Sequence, residues 1–227
     1  MKTLFVAVVL VLAPEGCGVA PLPAETPRAT VAETDVLPAP LVITGELIAW
    51  DVWWQGVQVG SAVVETSTTG SRAQFATGGL ASIVGTLRFE QATIARSTTE
   101  DLVAGSAREH RVIALDTVTV PGGSRLHTLA STLGSVRSWA KVGAPHAYAW
   151  VLVDGALYRV DVATPHPDAQ TLRVDGSVRP LDPDGDSVDF SVWLADDATR
   201  TPVRFAALAR GERVTAQIRD SSAITRR

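Results

Sequence analysis

Cysteine is almost missing from these 227 residues: Cys17 is the only one, so no intramolecular disulfide can form and stability has to come from packing. Lysine is confined to Lys2 and Lys141, asparagine does not occur, and no cluster of Lys and Arg interrupts the interior of the chain. With 20 basic against 24 acidic side chains and a net charge of −4, nucleic acid is excluded as an expected partner. The rarity of lysine and asparagine carries no function. Also missing are Gly-x-Ser-x-Gly, a P-loop, a dinucleotide fingerprint, His-x-His and His-Glu-x-x-His. No cofactor and no metal is expected.

What is present is globular: 46% hydrophobic and 19% charged residues, enough apolar surface for the core of one ordinary domain. Behind Lys2, Leu4 to Ala13 form an unbroken apolar run of ten residues. A helix of that length rises about 15 Å, roughly half a hydrocarbon core, so the run reads as a signal-peptide core and not as a membrane span. Cys17 follows behind Pro14, Glu15 and Gly16, where a bacterial lipoprotein carries its acylated cysteine. Gly16 fits that pattern; Pro14 and Glu15 depart from it. The bland alternative is an incidental thiol near an ordinary cleavage site. Against it, Gly18-Val19-Ala20 is followed by Pro21, which blocks ordinary cleavage, and an exported lone cysteine would otherwise be a free thiol in an oxidising compartment. The expected organisation is a signal peptide over 1–16, Cys17 with a Pro/Ala-rich linker through 43, a β-rich domain over 44–220 and a polar tail over 221–227. The expected location is the periplasm-facing membrane surface. Gly18, where an aspartate commonly signals inner-membrane retention, favours the outer membrane.

Past Leu41 the pattern is alternation and β-branched runs broken by turn residues, which predicts antiparallel strands. Leu47–Trp54 and Val57–Thr66 flank Gln55-Gly56, and Tyr148–Val153 and Leu157–Ala163 flank Asp154-Gly155, the strongest two-residue hairpin signal. Thr171–Arg179, Ser187–Leu194, Pro202–Leu208 and Glu212–Arg219 supply four more strands. Leu126, Leu129, Leu133, Val136 and Ala140 recur at helical spacing, predicting one amphipathic helix over Ser124–Val142 with Gly134 as its weak point. The segment Gly78–Leu87 reads equally as a short helix or a loop. The expected fold is mainly β: a strongly curved antiparallel sheet or partly open β-barrel with one covering helix.

These segments resemble the bacterial domain-of-unknown-function 3108 family. The matching pieces are Gly45-Glu46-Leu47, Trp50-Asp51-Val52, Trp54 to Gly60, Gly79-Leu80-Ala81-Ser82, the Asp154-Gly155 hairpin with Tyr158, and Trp193 to Asp197 running into Arg200 to Val203. The resemblance spans about Thr44 to Asp220. It implies an exported β-rich envelope domain, often on lipoproteins, and it carries over no catalytic residue.

Several constellations invite chemistry and have plainer readings. Ser138 and Lys141 have the Ser-x-x-Lys spacing of serine acyl-enzymes, but the partner motifs are absent and a lysine at a helix end suits the macrodipole. Asp182, Asp184, Asp186 and Asp189 crowd carboxylates as a weak calcium site would, yet the spacing is not that of an EF-hand and an acidic turn accounts for it. Asp196-Asp197 reads as a turn with Arg200 as its partner. His110, His127, His146 and His166 share no metal-like spacing. Six tryptophans, Trp50, Trp53, Trp54, Trp139, Trp150 and Trp193, are many for this length. On a strand Trp53 and Trp54 point to opposite faces, so either both faces are covered or the tryptophans line an apolar groove. The leading expectation is a non-enzymatic envelope lipoprotein that binds a lipid or other hydrophobic ligand, or a protein partner. The rivals are a scaffold in an envelope complex and a hydrolase of an envelope polymer.

Overall fold

The computed structural model describes residues 35–79, 81–181, 186–209 and 211–223. Within these residues the chain forms fifteen strands and two short α-helices. In order these are β1 (Asp35–Val36), β2 (Glu46–Trp54), β3 (Val57–Thr66), β4 (Gly70–Thr77), α1 (Ala81–Val84), β5 (Leu87–Ile94), β6 (Ser97–Ala104) and β7 (Ala107–Ala114). They continue with β8 (Leu126–His127), α2 (Leu129–Trp139), β9 (Ala147–Val153), β10 (Ala156–Val162), β11 (His166–Asp168), β12 (Thr171–Pro180), β13 (Val188–Ala195), β14 (Pro202–Ala209) and β15 (Glu212–Ala223).

One sheet holds all the strands, in the order β1-β9-β10-β12-β13-β14-β15-β2-β3-β4-β5-β6-β7, with β8 added to β9 and β11 to β12. Neighbours are antiparallel except β1 and β8, which run parallel to β9. The fold is thus a curved, mainly antiparallel sheet covered by one helix, and backbone pairing does not close it into a barrel. Curvature follows from alternation and from breaks in it. Val188, Phe190, Val192 and Leu194 of β13 are buried on the inner face, while the intervening residues face outward. Register shifts between Val52 and Trp53, between Trp193 and Leu194, and near Ile218 bend the strands they interrupt. Gly176 of β12 allows a close approach: a Cβ there would lie 2.4 Å from the Asp161 carbonyl and 2.6 Å from the Phe190 ring.

The two expected hairpins form with the expected turns. Gln55 and Gly56 have φ of 48° and 82°, and Asp154 and Gly155 have 52° and 67°, the doubly positive pattern of a type I′ turn. The helix is shorter than the predicted Ser124–Val142. Leu126 and His127 pair with Trp150 and Val151 of β9 instead. Thr128 then begins the helix, the Ser131 hydroxyl accepting its backbone N–H at 2.7 Å, and the extended backbone of Ala140 ends it. The Gly78–Leu87 segment resolves into the single turn α1 with flanking coil.

The folded region starts before the expected boundary at 44. Asp35 and Val36 pair with Ala147 and Tyr148, and Leu37 is 3% exposed within the core. The chain then crosses α2, where the Leu41 N–H donates to the Gly134 carbonyl at 2.9 Å. A Cβ on Gly134 would lie 2.7 Å from the Leu41 carbonyl oxygen and 2.9 Å from the Pro40 Cβ. Gly134, expected as a weak point, is thus what lets residues 35–41 lie down as a strap. At the other end β15 runs on to Ala223, past the expected boundary at 220. The signal-peptide run and Cys17 lie outside the described residues, as do Asp182 and Asp184.

Candidate functional site

The inner face of the sheet and α2 line a half-open cavity of about 220 Å³. Trp50 and Val52 of β2 form part of its wall, continued by Phe75 of β4 and Phe89 of β5. Val151, Tyr158, Val160 and Phe190 border it from β9, β10 and β13. Leu129, Thr132, Leu133 and Val136, one face of α2, form the cover. On β2, β9, β10 and β13 strand alternation sends one side chain in two to this wall, and helix periodicity selects the i, i+3, i+4, i+7 set. Among the described lining residues no side chain is Asp, Glu, Lys, Arg or His.

Polar atoms at the wall are mostly paired. The Trp50 indole N–H donates to the Pro202 carbonyl at 2.9 Å, and the Thr132 hydroxyl donates to the Thr128 carbonyl at 2.7 Å. Gln74 and Tyr158 are the other polar side chains of the described wall, and Tyr158 is buried. Burial, with Asp154 and Glu100 nearby, raises its pKa further above the usual phenol range, so it stays a protonated donor.

The cover is held at both ends by buried polar contacts. At its start the Leu129 N–H, one of the orphan donors of a helix N-terminus, donates to Gln91 Oε1 at 2.8 Å. Gln91 Nε2 donates to Glu100 Oε1 and to the Leu152 carbonyl, each at 2.8 Å. Glu100, 3% exposed, also accepts the Asp154 N–H at 3.0 Å and the Gly155 N–H at 2.8 Å. Arg111 of β7 adds an ion pair with Asp154. These groups join β5, β6 and β7 to the β9–β10 turn and the start of α2, where no ladder does. Burial pushes the Glu100 pKa up against the lowering effect of its hydrogen bonds. At the far end of α2, buried Arg137 pairs with both oxygens of Glu46 at 2.6 and 2.9 Å and donates to the Thr199 carbonyl at 2.7 Å.

The six tryptophans do not gather. Only Trp50 borders the cavity. Trp54 packs at the edge of the core, its indole N–H donating to Glu212 at 3.3 Å, while Trp53 of the same strand is half-buried. Trp139 and Trp150 are buried away from the cavity wall. Trp193 lies on the outer face between the guanidinium groups of Arg173 and Arg204, 5.2 and 4.6 Å from its ring, with its N–H donating to Asp168 at 2.7 Å. The cavity is walled instead by valine, alanine and phenylalanine, which the count of tryptophans does not reveal.

Catalytic geometry is poor. Ser138 and Lys141 are both exposed at the end of α2. His127 Nδ1 lies 3.3 Å from the Ser135 hydroxyl, a serine–histidine pair that sequence reasoning missed. Both residues are sealed from solvent, neither borders the cavity under α2, and His127 Nε2 has no partner among the described residues. Desolvation, then Arg125, depresses the His127 pKa to about 4, which leaves the ring neutral. No carboxylate orients it and no substrate can reach it. On the outer face His110 and Asp101 pair at 2.7 Å beside a shallow crevice lined with Arg88, Glu90 and Arg108, and no nucleophile accompanies them. Asp196 does pair with Arg200. Among the described residues no group of three or more His, Cys, Asp or Glu could hold a metal, and no helix is long and apolar enough to cross a membrane.

No family model matches the chain, and no curated protein is similar to it at a significant level. Solved structures that match include a β-barrel-like protein of domain of unknown function DUF1849 from Brucella abortus, 7% identical over 80% of this chain and 98% of that one, with a TM-score of 0.45. A β sliding clamp of C. crescentus also matches, at 12% identity over 78% of this chain and 57% of that one, with a TM-score of 0.13.

Proposed function

We propose that this chain is a non-enzymatic cell-envelope lipoprotein, exported behind its apolar leader and anchored through a lipid on Cys17, whose curved sheet carries a hydrophobic ligand. The observation that carries the ligand reading is the 220 Å³ cavity under α2, with no charged side chain in its described wall. Concave, mostly apolar walls of this kind suit apolar guests, because burying the guest's surface there removes it from water. The place in the envelope rests on Leu4–Ala13 and Cys17. The test is native mass spectrometry of the protein purified from an export-competent bacterium expressing the full gene. Expected are a mature N-terminus at acylated Cys17 and a co-purifying apolar molecule. An intact Met1 in the cytoplasmic fraction would overturn the export reading, and a ligand-free protein that binds no apolar probe would overturn the carrier reading.

A second reading, a scaffold that joins an envelope protein complex, is favoured by one patch. Ile94 and Val112 are each 65% exposed on the outer face of β5 and β7. β7 ends the sheet with one edge unpaired among the described residues. Cross-linking in cells separates the readings: a scaffold is recovered with one defined protein through β7, a carrier without one.

A further inference from the structure

We infer that this chain associates with a second copy of itself, the two β7 strands (Ala107–Ala114) pairing antiparallel about a two-fold axis that passes His110, so that the two sheets continue into one. The inference stands apart from both functional readings and needs neither of them.

The two ends of the sheet are unlike. At one, β9 is covered by β1 and β8, which pair with Ala147, Tyr148, Trp150 and Val151. At the other, β7 is exposed over most of its length and has a strand beside it, β6, on one side only among the described residues. Such an edge offers its backbone donors and acceptors to any passing strand, and proteins commonly blunt it with a proline, a bulge or a very short strand. β7 has none of these. It is eight residues long, contains no proline, and stays in register with β6 from Ala104 and Ala107 to Ser97 and Ala114.

What this edge carries is charge, and charge selects the occupant. Two β7 strands related by a two-fold axis normal to the sheet continue each face only if the axis passes a residue, so the registers can be compared one by one. With Glu109 on the axis the two carboxylates oppose each other, and with Arg111 on it the two guanidinium groups do. With Val112 on the axis, Ala107 to Glu109 are left without partners, and an axis nearer either end leaves most of the strand unpaired. With His110 on the axis, Ala107 to Ile113 all pair, and Glu109 of each copy meets Arg111 of the other. Arg111 already neighbours Glu100 across the β6–β7 ladder, so the inner face would run Glu100, Arg111 and then Glu109 of the second copy, alternating in sign. On the outer face Val112, 65% exposed, would lie opposite Arg108 of the second copy, whose aliphatic stem can cover it. A strand with another order of charges would not match both faces. One ladder is a small interface, so the pair belongs to the reversible class.

The test is analytical ultracentrifugation of the purified full protein over a wide range of concentration, joined to disulfide trapping. A monomer–dimer equilibrium is expected, and Glu109→Arg, which sets like charges opposite each other at two places, should weaken it about tenfold. Residues directly opposite have Cβ atoms about 5 Å apart, close enough to be bridged on oxidation. His110→Cys should therefore link to its copy at least fivefold more efficiently than Arg108→Cys or Val112→Cys alone, while the double variant Arg108→Cys/Val112→Cys should link well. Wild type, whose only cysteine is Cys17, is the blank. The cysteine variants leave the charges of Glu109 and Arg111 in place, so they decide the matter even if Glu109→Arg fails to fold. A chain that stays monomeric at every concentration, a folded Glu109→Arg variant that dimerises as wild type does, or a single cysteine at 108 or 112 that links as well as one at 110 would each overturn the inference. A monomeric chain whose β7 is recovered from cells linked to a different protein would overturn it too and leave the scaffold reading standing.

Discussion

The carboxylate of Glu100 accepts the backbone N–H of Gly155 at 2.8 Å, across 55 positions of sequence. With Gln91 and Asp154 it does the work of a ladder where none exists, joining one end of the sheet to a turn at the other. A buried carboxylate with three donors and no cation in contact is an economical seam, and its removal strands those donors in a dry place. Glu100→Ala should therefore cost about 3 kcal/mol at pH 7, measured by urea unfolding. Glu100→Gln, which keeps two of the acceptor contacts, should cost about 1 kcal/mol.

The seam also predicts a pH response. Burial raises the Glu100 pKa, so the native state holds this proton more tightly than the unfolded chain. Its contribution to stability is fully present below the unfolded carboxylate value and falls as pH climbs through the raised one. Between pH 4 and 7, the stability difference between wild type and Glu100→Gln should grow in favour of wild type toward acid. A difference flat across that range would refute the assignment.

His127 acts in the opposite direction. Its pKa is lowered from 6.5 to about 4, so the unfolded chain takes up the proton first and stability is lost as pH falls through that window. The full effect is about 3 kcal/mol at pH 4, larger than one buried hydrogen bond, so wild type should weaken on acidification despite Glu100. His127→Gln should flatten that decline in urea melts taken at half-unit steps of pH.

Arg137 and Glu46 form a nearly dry pair. Arg137→Ala leaves the Glu46 carboxylate and the Thr199 carbonyl without their donor and should cost about 3–5 kcal/mol. The double variant Arg137→Met/Glu46→Leu should recover more than half of that loss. If the double variant is as unstable as the single, the helix end depends on the charges themselves.

Gly134 tests the strap. In an ordinary helix Gly→Ala gains about 1 kcal/mol. Here the new methyl meets the Leu41 carbonyl and Pro40, so Gly134→Ala should be destabilising and should speed amide exchange at Leu41. An unchanged exchange rate at Leu41 would show that the strap gives way without consequence.

How far the sequence could be read follows from where the chemistry is local. The Gln55-Gly56 and Asp154-Gly155 hairpins were legible because a type I′ turn demands positive φ from two adjacent residues. β4 to β7 escaped notice. Ala95, at φ 52°, turns the β5–β6 hairpin without a glycine at that position, and the inward-facing Gln91, Thr98 and Glu100 erase the apolar half of the alternation. Those polar residues face inward because the β9–β10 turn and α2 present backbone donors to them, a partner no local window contains. The helix lost its first turn because Leu126 and His127 found a strand partner, again a nonlocal fact. For the cavity, the strand signals located β2, β9, β10 and β13 without singling out which of their faces is the inner one. Tryptophan misled: of the six, only Trp50 borders the cavity, whose aromatic wall is otherwise phenylalanine and Tyr158. Ser135 and His127 carried no signal, being eight positions apart with β8 and the start of α2 between them.

Residues 35–41 give the molecule a direction of mechanical weakness. They are held by a two-residue parallel pairing, the Leu37 side chain and one bond from Leu41 to Gly134. A pull on the chain ahead of Asp35 would unzip these few attachments in turn, and the last of them sits on α2. Tension would thus reach the roof of the cavity while the hairpins beneath it still carried no load.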